Sequence, residues 1–294
     1  MKTATLDDLP LLRRYFAAYP HRLCVYTPGV LMMWRQYFRL ALREEGETLT
    51  VRLAYDGGED CYLYPVGRDP MGAVDRLRAE CRREGRPLTF FAPEEEALAT
   101  LRSLFPTATE EEDRGEADYL YETASLAAFP GRRYGGQRNH VNRFSRLFPD
   151  HAVEEIRPHH AEELLAFLDT FRALHAERPL FLEELLMTRE VIEHYGEYRM
   201  DGVLLRAEGR IAAFACGEVV GDMLAVHIEK ADTRMAGSYQ KIVSAFASRY
   251  DPAAVPHLNR EDDMGDEGLR TSKLSYHPTE ILPKRRFRIP AEAL

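Results

Sequence analysis

The chain has 294 residues, of which 45% are hydrophobic and 30% are charged, and its formal net charge is −9. This balance is typical of a globular protein with a core of its own, and it excludes an intrinsically disordered or fibrous chain. The length suits about two domains of ordinary size, and the net negative charge disfavours general binding of nucleic acid or anionic lipid.

Cysteine usage and hydropathy indicate where the chain works. No C-x-x-C pair and no secretory leader is present, and no apolar run approaches the ~18 residues of a membrane-spanning helix. We therefore expect a cytoplasmic protein without a transmembrane segment, in which the cysteines are reduced thiols rather than a disulfide framework. The four cysteines are Cys24, Cys61, Cys81 and Cys216.

The first half of the chain has mixed helical and strand-like patterns. In chain order we predict a helix at 6–18, strands at 30–40, 48–54 and 61–66, a helix at 71–84, a strand at 88–91 and a helix at 94–105. Asp56-Gly57-Gly58 predicts the hairpin turn between the second and third strands. The acidic, turn-forming stretch 109–118 is expected to separate the two halves.

The second half has a cleaner pattern. We predict strands at 119–128 and 151–156, helices at 160–175 and 182–195, strands at 202–207, 211–220 and 223–230, a helix at 237–249, a strand at 255–259, a helix at 267–274 and a strand at 281–289. From the second of these strands onward, this order is similar to that of the GNAT acyltransferase fold. We therefore predict an α/β (α+β) chain of two tandem GNAT-like domains. Residues 1–118 form a degenerate, supporting domain, and residues 119–294 carry the active site.

The loop before the predicted helix at 237–249 is a candidate phosphate-binding loop. It reads Arg234-Met-Ala-Gly-Ser-Tyr239 and keeps the arginine and glycine of the loop with which GNAT enzymes hold the pyrophosphate of coenzyme A. Tyr239 replaces a small residue of that loop and narrows the space for a pyrophosphate. We expect Arg234, Gly237 and Ser238 to bind a donor phosphate; the alternative is a plain helix start.

A basic segment, Gly131–Arg146, reverses the sign of charge locally, with five arginines in 16 residues. If it is helical from Gln137, then Arg138, Asn142 and Arg146 fall on one face. Such a face suits the phosphates of a cofactor, a tRNA or a lipid headgroup. The alternative is a solvated helix face.

An acidic segment near the C-terminus places five carboxylates in the seven residues 261–267. Its spacing does not fit an EF-hand loop, so we predict no metal site. A helix N-terminus accounts for Asp266 and Glu267 through the helix dipole. Because crowded carboxylates raise one another's pKa, Asp263 is a candidate general base.

His227 and Glu229 alternate on a predicted strand and are expected on one face of the sheet. In a GNAT-like unit this strand lines the cleft, so the two side chains are a candidate acid–base couple. A hydrogen-bonded structural histidine is the alternative. The sequence has no Gly-x-Ser-x-Gly, P-loop, dinucleotide-binding or His-Glu-x-x-His motif, which disfavours hydrolases, kinases and dehydrogenases.

Three segments together resemble a bacterial family that shares the C-terminal, catalytic domain of phosphatidylglycerol lysyltransferase. They are Gln137-Arg-Asn-His-Val-Asn-Arg-Phe, His227-Ile-Glu-Lys-Ala-Asp and, above all, Asn259-Arg-Glu-Asp-Asp-Met-Gly-Asp-Glu-Gly-Leu-Arg-Thr-Ser-Lys-Leu-Ser-Tyr-His-Pro. The resemblance covers nearly the whole chain and implies a tandem GNAT fold related to the Fem-type peptidyltransferases.

In the membrane-bound members of that family, the domain moves an aminoacyl group from aminoacyl-tRNA to a lipid headgroup. The present sequence carries Gly135-Gly136-Gln137 where these relatives tend to be more basic. The resemblance therefore implies the fold and the broad reaction class, and it leaves the substrate open.

We accordingly predict an acyl or aminoacyl transferase with its site in the second half of the chain. Aminoacyl-tRNA or acyl-CoA is the expected donor, and an amine or hydroxyl of a small molecule or lipid headgroup is the expected acceptor. The alternatives are a non-catalytic binding protein for a phosphorylated small molecule or RNA, and a CoA-dependent N-acetyltransferase. The expected substrate-binding residues are Asn259, Arg270, Lys273 and Tyr276.

Overall fold

The computed structural model describes residues 1–54, 58–174 and 179–294, and it divides into two compact units. The first unit contains Met1–Asp118, Asp262–Asp266 and Leu282–Leu294, and the second contains Tyr119–Glu261 and Glu267–Ile281. Two segments of the predicted continuous domain 119–294 thus belong to the first unit. Part of the turn predicted at Asp56-Gly57-Gly58, and the end of the helix predicted at 160–175, lie outside the described residues.

The helices and strands before residue 113 are β1 (Lys2–Thr3), α1 (Leu9–Ala18), α2 (Pro28–Met33), β2 (Ala41–Glu45), β3 (Thr48–Ala54), β4 (Asp60–Leu63), β5 (Val66–Gly67), α3 (Pro70–Glu84), β6 (Leu88–Phe91), α4 (Glu95–Leu104) and β7 (Thr109–Glu112). Those after it are β8 (Asp118–Glu122), α5 (Thr123–Ala128), α6 (Gly135–Leu147), β9 (Ala152–Glu155), α7 (Ala161–Leu174), α8 (Pro179–Glu193), α9 (Tyr195–Tyr198), β10 (Asp201–Ala207), β11 (Arg210–Val220), β12 (Met223–Ala231), α10 (Ser238–Ala247), β13 (His257–Asn259), α11 (Glu267–Ser275), β14 (Glu280–Leu282) and β15 (Arg285–Ile289).

The strand predicted at 30–40 is wrong, because helix α2 occupies its beginning. Thr27 caps this helix by accepting a hydrogen bond from the backbone N–H of Val30, and Pro28 fills the first helical position, where no N–H is needed. Every residue of α2 is buried, so the sequence carries no polar face that would reveal a helical period. The strand that follows is β2, which begins at Ala41.

Three further predictions are corrected near the ends of strands. The predicted strand 119–128 ends at Glu122, where the Ala- and Ser-rich segment turns into helix α5. The acidic stretch 109–118 contains the exposed strand β7, which pairs with the arginine-rich β15. The predicted strand 281–289 is two strands in different sheets, because Pro283 has no N–H to continue a ladder.

One sheet builds the first unit. Its described strands follow the order β1-β2-β3-β4-β6-β15-β7, and β5 pairs with β3. The C-terminal strand β15 lies antiparallel between β6 and β7. Helices α3 and α4 contribute Leu77, Leu98 and Leu101 to the same buried cluster as Phe90 of β6 and Phe287 of β15. The cluster therefore joins residues between 62 and 105 to the C-terminal strand.

A second sheet builds the second unit, in the order β14-β8-β13-β12-β11-β10-β9 among the described strands. Strands β10, β11 and β12 are antiparallel neighbours, whereas β12 and β13 are parallel and are connected through α10. Helix α10 packs its apolar face into the core through Ile242 and Phe246, beside Leu224 of β12. This strand–helix–strand connection places β12 and β13 side by side, with their carboxyl ends at the same edge of the sheet.

Candidate functional site

The parallel strands β12 and β13 separate at their carboxyl ends. Their pairing runs from Met223 opposite His257 to Ala225 opposite Asn259, whereas β12 continues to Ala231. Ligands of α/β proteins characteristically bind beyond the carboxyl ends of parallel strands. The residues that follow this point on both strands are therefore candidates for a binding or catalytic site.

A β-bulge on β12 places His227 at the point of separation. The register with β11 shifts so that Cys216 pairs with Ile228 while Gly217 pairs with Val226. Bulges occur often beside active sites, where they re-aim a side chain. Here the bulge sets the imidazole of His227 between two carboxylates.

His227 makes two strong hydrogen bonds while fully buried. Its Nδ1 lies 2.7 Å from Oε1 of Glu261, and its Nε2 lies 3.1 Å from Oε1 of Glu218. Burial lowers the pKa of His227, but the hydrogen bonds and charges of the two carboxylates outweigh it and raise the pKa to about 9. The ring is therefore an imidazolium at neutral pH and donates from both nitrogens, which makes it a poor proton acceptor.

Arg260 follows β13 directly and is 8% exposed. Its Nε and Nη2 donate to the same oxygen of Glu229, Oε2, at 3.0 and 2.5 Å. Its guanidinium carbon lies 4.5 Å from the ring centre of Tyr276 and 5.6 Å from that of Tyr121. Two aromatic faces and one carboxylate thus hold a buried cation whose pKa is raised by these anionic and aromatic neighbours against the effect of burial.

One nitrogen of this guanidinium is unused. Arg260 Nη1 is buried and has no hydrogen-bond partner among the described residues. A buried donor without a partner costs about 1–3 kcal/mol, so it calls for a functional explanation. An arginine N–H in this position can donate to an anionic or developing oxyanion oxygen of a bound molecule.

Hydrogen bonds to Lys273 of helix α11 hold the residues around Arg260 in place. The ammonium of Lys273 donates to the backbone carbonyl of Arg260, and the hydroxyl of Tyr121 donates to the carbonyl of Lys273 at 2.9 Å. The hydroxyl of Tyr134 donates to the carbonyl of Tyr276 at 3.1 Å. We call Arg260, Glu229, Tyr121, Tyr276 and Lys273 the Arg260 cluster.

Arg234, in the candidate phosphate loop, is engaged with the protein itself. Its Nε and Nη2 bond both carboxylate oxygens of Asp232, at 2.8 and 2.7 Å. These hydrogen bonds, with that of Arg210, hold the pKa of Asp232 well below its usual range despite partial burial. Arg234 is therefore ion-paired with Asp232 in this structure. Its role as a phosphate ligand stays a prediction.

The glycine and the serine of the same loop have structural roles. Gly237 adopts a φ of 91°, and a Cβ added there would lie 2.2 Å from the backbone oxygen of His140. Ser238 is buried and donates to the carbonyl of Asp232 at 2.9 Å. The hydroxyl of Tyr239 accepts a hydrogen bond from the backbone N–H of Ala231, and burial raises its pKa. The loop is thus closed by contacts to α6 and β12.

The basic segment forms helix α6 from Gly135, as predicted, and Arg138 is half-buried there. Its guanidinium donates to the backbone carbonyls of Phe129 and Gly131. Asn142 and Arg146 are exposed. The other four arginines of the segment, Arg132, Arg133, Arg143 and Arg146, are exposed.

The acidic segment is divided between the units. Asp263 lies in the first unit and is fully buried, where its Oδ1 accepts from the backbone N–H of Gly265 at 3.0 Å and its Oδ2 lies 3.5 Å from Arg114. Asn259 is also fully buried and accepts from the backbone N–H of Glu261 at 2.7 Å. Both side chains thus bond to the backbone of their own segment. Arg270 lies half-buried on α11.

The structure therefore brings together Glu229, Lys273 and Tyr276 of the predicted site residues, and it adds Arg260 and Tyr121, which sequence reasoning missed. Arg260 stands inside the longest resemblance segment, yet beside five carboxylates it looks like a surface counter-charge. The one signal for it is its place directly after a short buried strand, where parallel strands end.

The described residues contain neither a metal-binding group nor a membrane-spanning helix. Among the described residues, no three His, Cys, Asp or Glu side chains are grouped as a metal site would require. Within that same part of the chain, none of the helices combines the length and the apolar character needed to cross a bilayer. The four cysteines are buried and form no disulfide among the described residues.

Comparisons with known proteins agree on the fold. A conserved protein of unknown function from Bacteroides thetaiotaomicron superposes with a TM-score of 0.91 at 28% identity, covering 98% of both chains. The C-terminal domain of a candidate lysylphosphatidylglycerol synthetase from Agrobacterium fabrum gives 0.67 at 14% identity, covering 98% of this chain and 94% of that one. FemX gives 0.63 at 8% identity, covering 98% and 96%. The predicted α/β fold of the tandem GNAT and Fem-like type is thereby confirmed.

Sequence comparisons name the family. An uncharacterised protein of Mycoplasmoides gallisepticum is 25% identical over 173 residues, which is 57% of this chain and 54%, or about half, of that protein's length. The family model described as "Phosphatidylglycerol lysyltransferase, C-terminal" matches residues 16–286. The chain therefore belongs to the phosphatidylglycerol lysyltransferase C-terminal domain family.

Proposed function

We propose that this protein transfers an aminoacyl or acyl group from an activated ester to an amine or hydroxyl acceptor at the Arg260 cluster. The observation that carries the proposal is Nη1 of Arg260, which is buried where β12 and β13 separate and has no hydrogen-bond partner in the described parts of the chain. The family description, which names lysyl transfer, supports the reaction class.

In the proposed reaction Glu229 is the general base. Both of its bonds to Arg260 end on Oε2, which leaves Oε1 to accept the acceptor's proton. The acceptor nitrogen or oxygen then forms the new bond to the carbonyl carbon, and the ester C–O bond to the donor breaks. Glu229 returns the proton to the leaving hydroxyl. Alignment of the two substrates supplies much of the remaining rate enhancement.

Arg260 is proposed to stabilise the charge that develops on the carbonyl oxygen. Its Nη1–H is fixed before substrate arrives, because Glu229 and two aromatic rings hold the guanidinium. A preorganised donor in a water-poor site is worth more than the same donor in solution. Tyr276 and Lys273 are positioning residues in this scheme, and so is His227, whose charge is already satisfied by Glu218 and Glu261.

Aminoacyl-tRNA suits this chain better than acyl-CoA as the donor. Tyr239 and the Arg234–Asp232 pair occupy the loop that would cradle a pyrophosphate. The exposed arginines of the basic segment, among them Arg143 and Arg146, provide a surface for tRNA phosphates. An amine or hydroxyl of a lipid headgroup or small molecule is the proposed acceptor.

The test is a transfer assay with charged tRNAs, and separately with acetyl-CoA, against panels of lipid and small-molecule acceptors. We expect Glu229→Gln to lower kcat/KM about 10²–10⁴-fold and Arg260→Lys about 10²–10³-fold. Glu267→Gln, an exposed change on α11, is the matched control and should leave turnover unchanged.

Full turnover by Glu229→Gln, in an assay where the wild type is active, would refute the assigned base. Binding of a charged tRNA without consumption of any donor would instead favour a non-catalytic binding protein. Preferred use of acetyl-CoA would favour an N-acetyltransferase.

A further inference from the structure

The backbone ladder between β12 and β13 ends early, but a side-chain contact continues it. The last backbone pair joins Ala225 to Asn259. His227 and Glu261 have the same separation along the chain as this pair, 34 residues, and Nδ1 of the imidazole lies 2.7 Å from Oε1 of the carboxylate. Glu261 directly follows Arg260 in the chain, so this contact bears on how the Arg260 cluster is held.

Glu261 has a strained backbone. Its φ is 57°, in the left-handed region that favours glycine. Its N–H donates to Oδ1 of the fully buried Asn259 at 2.7 Å, and its carbonyl accepts from the N–H of Tyr119 at 3.0 Å. Strained residues persist only where the surrounding contacts determine their conformation, and they cluster at active sites. The contact of the Glu261 side chain with His227 is one of these contacts.

The conformation of Glu261 is linked to Arg260 through the peptide unit that the two residues share. The carbonyl of that unit accepts from the ammonium of Lys273. A relaxation of φ at Glu261 rotates this rigid unit against the carbonyl of Glu261. The rotation would break either the bond from Lys273 or the bond from Tyr119. Holding Glu261 in its conformation therefore also holds the backbone from which the Arg260 side chain projects.

The positive charge of His227 allows one imidazole to hold the Glu261 carboxylate firmly. The His227 side chain is fully buried, and its Nε2 lies 3.1 Å from Oε1 of Glu218. A neutral imidazole has one N–H and could donate to only one of the two carboxylates, whereas an imidazolium donates to both. Hydrogen bonds between charged groups are also stronger than those between neutral groups.

We propose that Glu261 is a positioning residue, which holds Arg260 in the geometry needed for transfer without touching a substrate itself. Two side-chain pairs then continue the strand pairing beyond the backbone ladder: His227 with Glu261, and Glu229 with Arg260. The first pair holds the backbone and the second holds the guanidinium. The effect on turnover rests on the proposed function, whereas the effect on the position of Arg260 can be observed without a substrate.

The kinetic test is a double-mutant cycle of Glu261→Gln and Arg260→Lys in the transfer assay. Glu261→Gln keeps the size of the side chain and removes its charge, and it should lower kcat about 10–100-fold with little change in KM, as small displacements of catalytic groups do. In the Arg260→Lys background the same change should have little further effect, because the group that Glu261 positions is already altered. Equal effects of Glu261→Gln in both backgrounds would overturn the proposal.

Glu197→Gln is the matched control. It removes a carboxylate whose Oε1 lies 3.3 Å from Nδ1 of an exposed histidine, His194, and it should leave kcat unchanged.

Crystal structures provide the test that needs no substrate. In Glu261→Gln we expect at least one bond from Arg260 to Oε2 of Glu229 to lengthen beyond hydrogen-bond distance, and in Glu197→Gln we expect both bonds to stay. Glu261→Gly serves if Glu261→Gln does not fold, since glycine adopts the left-handed backbone without strain, and it should displace Arg260 as well. Both bonds at wild-type length in these Glu261 variants would overturn the proposal. A displaced Arg260 together with an inactive wild type would sustain it and refute only the proposed function.

Discussion

Each unit of the molecule buries a cation, and the two cations differ in how completely the protein surrounds them. In the first unit, Lys284 is 2% exposed and its Nζ lies 2.6 Å from Asp118 and 2.9 Å from Asp262. In the second unit, Arg260 bonds only one oxygen of Glu229 and leaves Nη1 without a described partner. A buried charge with matched partners holds a fold together, whereas one with an unused donor is prepared for a ligand.

The first cluster is completed by groups beyond the ion pairs. Asp118 also accepts from the backbone N–H of Cys24 at 2.7 Å and from its thiol at 3.1 Å. Despite burial, the carboxylates and the Cys24 sulfur raise the pKa of Lys284 far above its usual value. Lys284 precedes β15, and the cluster therefore ties the C-terminal strand to the rest of the first unit.

The largest effect is expected from removing the enclosed cation. Lys284→Met leaves two buried carboxylates without their shared counter-ion and should lower the free energy of unfolding by about 3–5 kcal/mol. Urea unfolding measures the change. Arg288→Met is the control, because its exposed pair with Glu59 should contribute at most ~1 kcal/mol. Equal losses for both variants would abolish the distinction drawn between the two cations.

His227 tests whether the hydrogen-bond partners of a buried cation, rather than the unit in which it lies, determine its contribution to stability. It lies in the second unit, yet both of its ring nitrogens are hydrogen-bonded. Its pKa is raised to about 9 in the folded protein. The stabilisation is therefore fully present below the unfolded value of about 6.5 and is lost as pH rises through about 9, on the order of 3 kcal/mol. Unfolding of the wild type and of His227→Gln at pH 6 and pH 10 should show a gap that shrinks at high pH. A gap independent of pH would contradict this prediction.

Substitution of Gly237 tests whether the candidate phosphate loop, residues 234–239, stabilises the fold. Gly209 has a φ of 72° and no atom within 4 Å of an added Cβ. Gly209→Ala should therefore lower the free energy of unfolding only through backbone strain, by about 1 kcal/mol. Gly237→Ala adds a collision with the carbonyl of His140 and should lower the free energy of unfolding by about 1–2 kcal/mol more. Thermal unfolding of the two variants measures the difference. Equal stabilities would mean that α6 moves away without cost.

The smallest change in stability is expected at the incomplete cation. Replacing the whole pair, by Arg260→Met with Glu229→Gln, should alter the free energy of unfolding by no more than about 1 kcal/mol, because an unsatisfied donor disappears with the charges. The same variant should lose transfer activity entirely. A loss of stability as large as that of Lys284→Met would mark Arg260 as structural.

Much of the fold could be predicted because its elements carry complete local signals. Helix α3, for example, has Asp69 as its cap, Pro70 at its start and Gly85 in the left-handed region at its end. Strands β10 to β12 have turn residues between apolar runs. Helix α2 could not be predicted in this way, because a helix buried on every side has lost its period.

The candidate site could be predicted only in part, for a related reason. His227 and Glu229 stand out because a strand rarely carries such residues inside an apolar run. Their partners, Glu218, Glu261 and Arg260, come from other strand ends, and the sequence has no local signal for those pairings. The burial of Asp263, whose Oδ1 accepts a hydrogen bond from the backbone N–H of Gly265, depends likewise on tertiary structure.

The position of β15 between β6 and β7 has a consequence for biosynthesis. A ribosome delivers β6 and β7 long before the strand that must lie between them, so the sheet of the first unit stays incomplete until residue 289 has emerged. The usual order, in which the N-terminal domain folds first, is thereby reversed at this step. Until then the edges of β6 and β7 that face β15 lack their partner, and a chain stalled before β15 would expose them for pairing with other proteins.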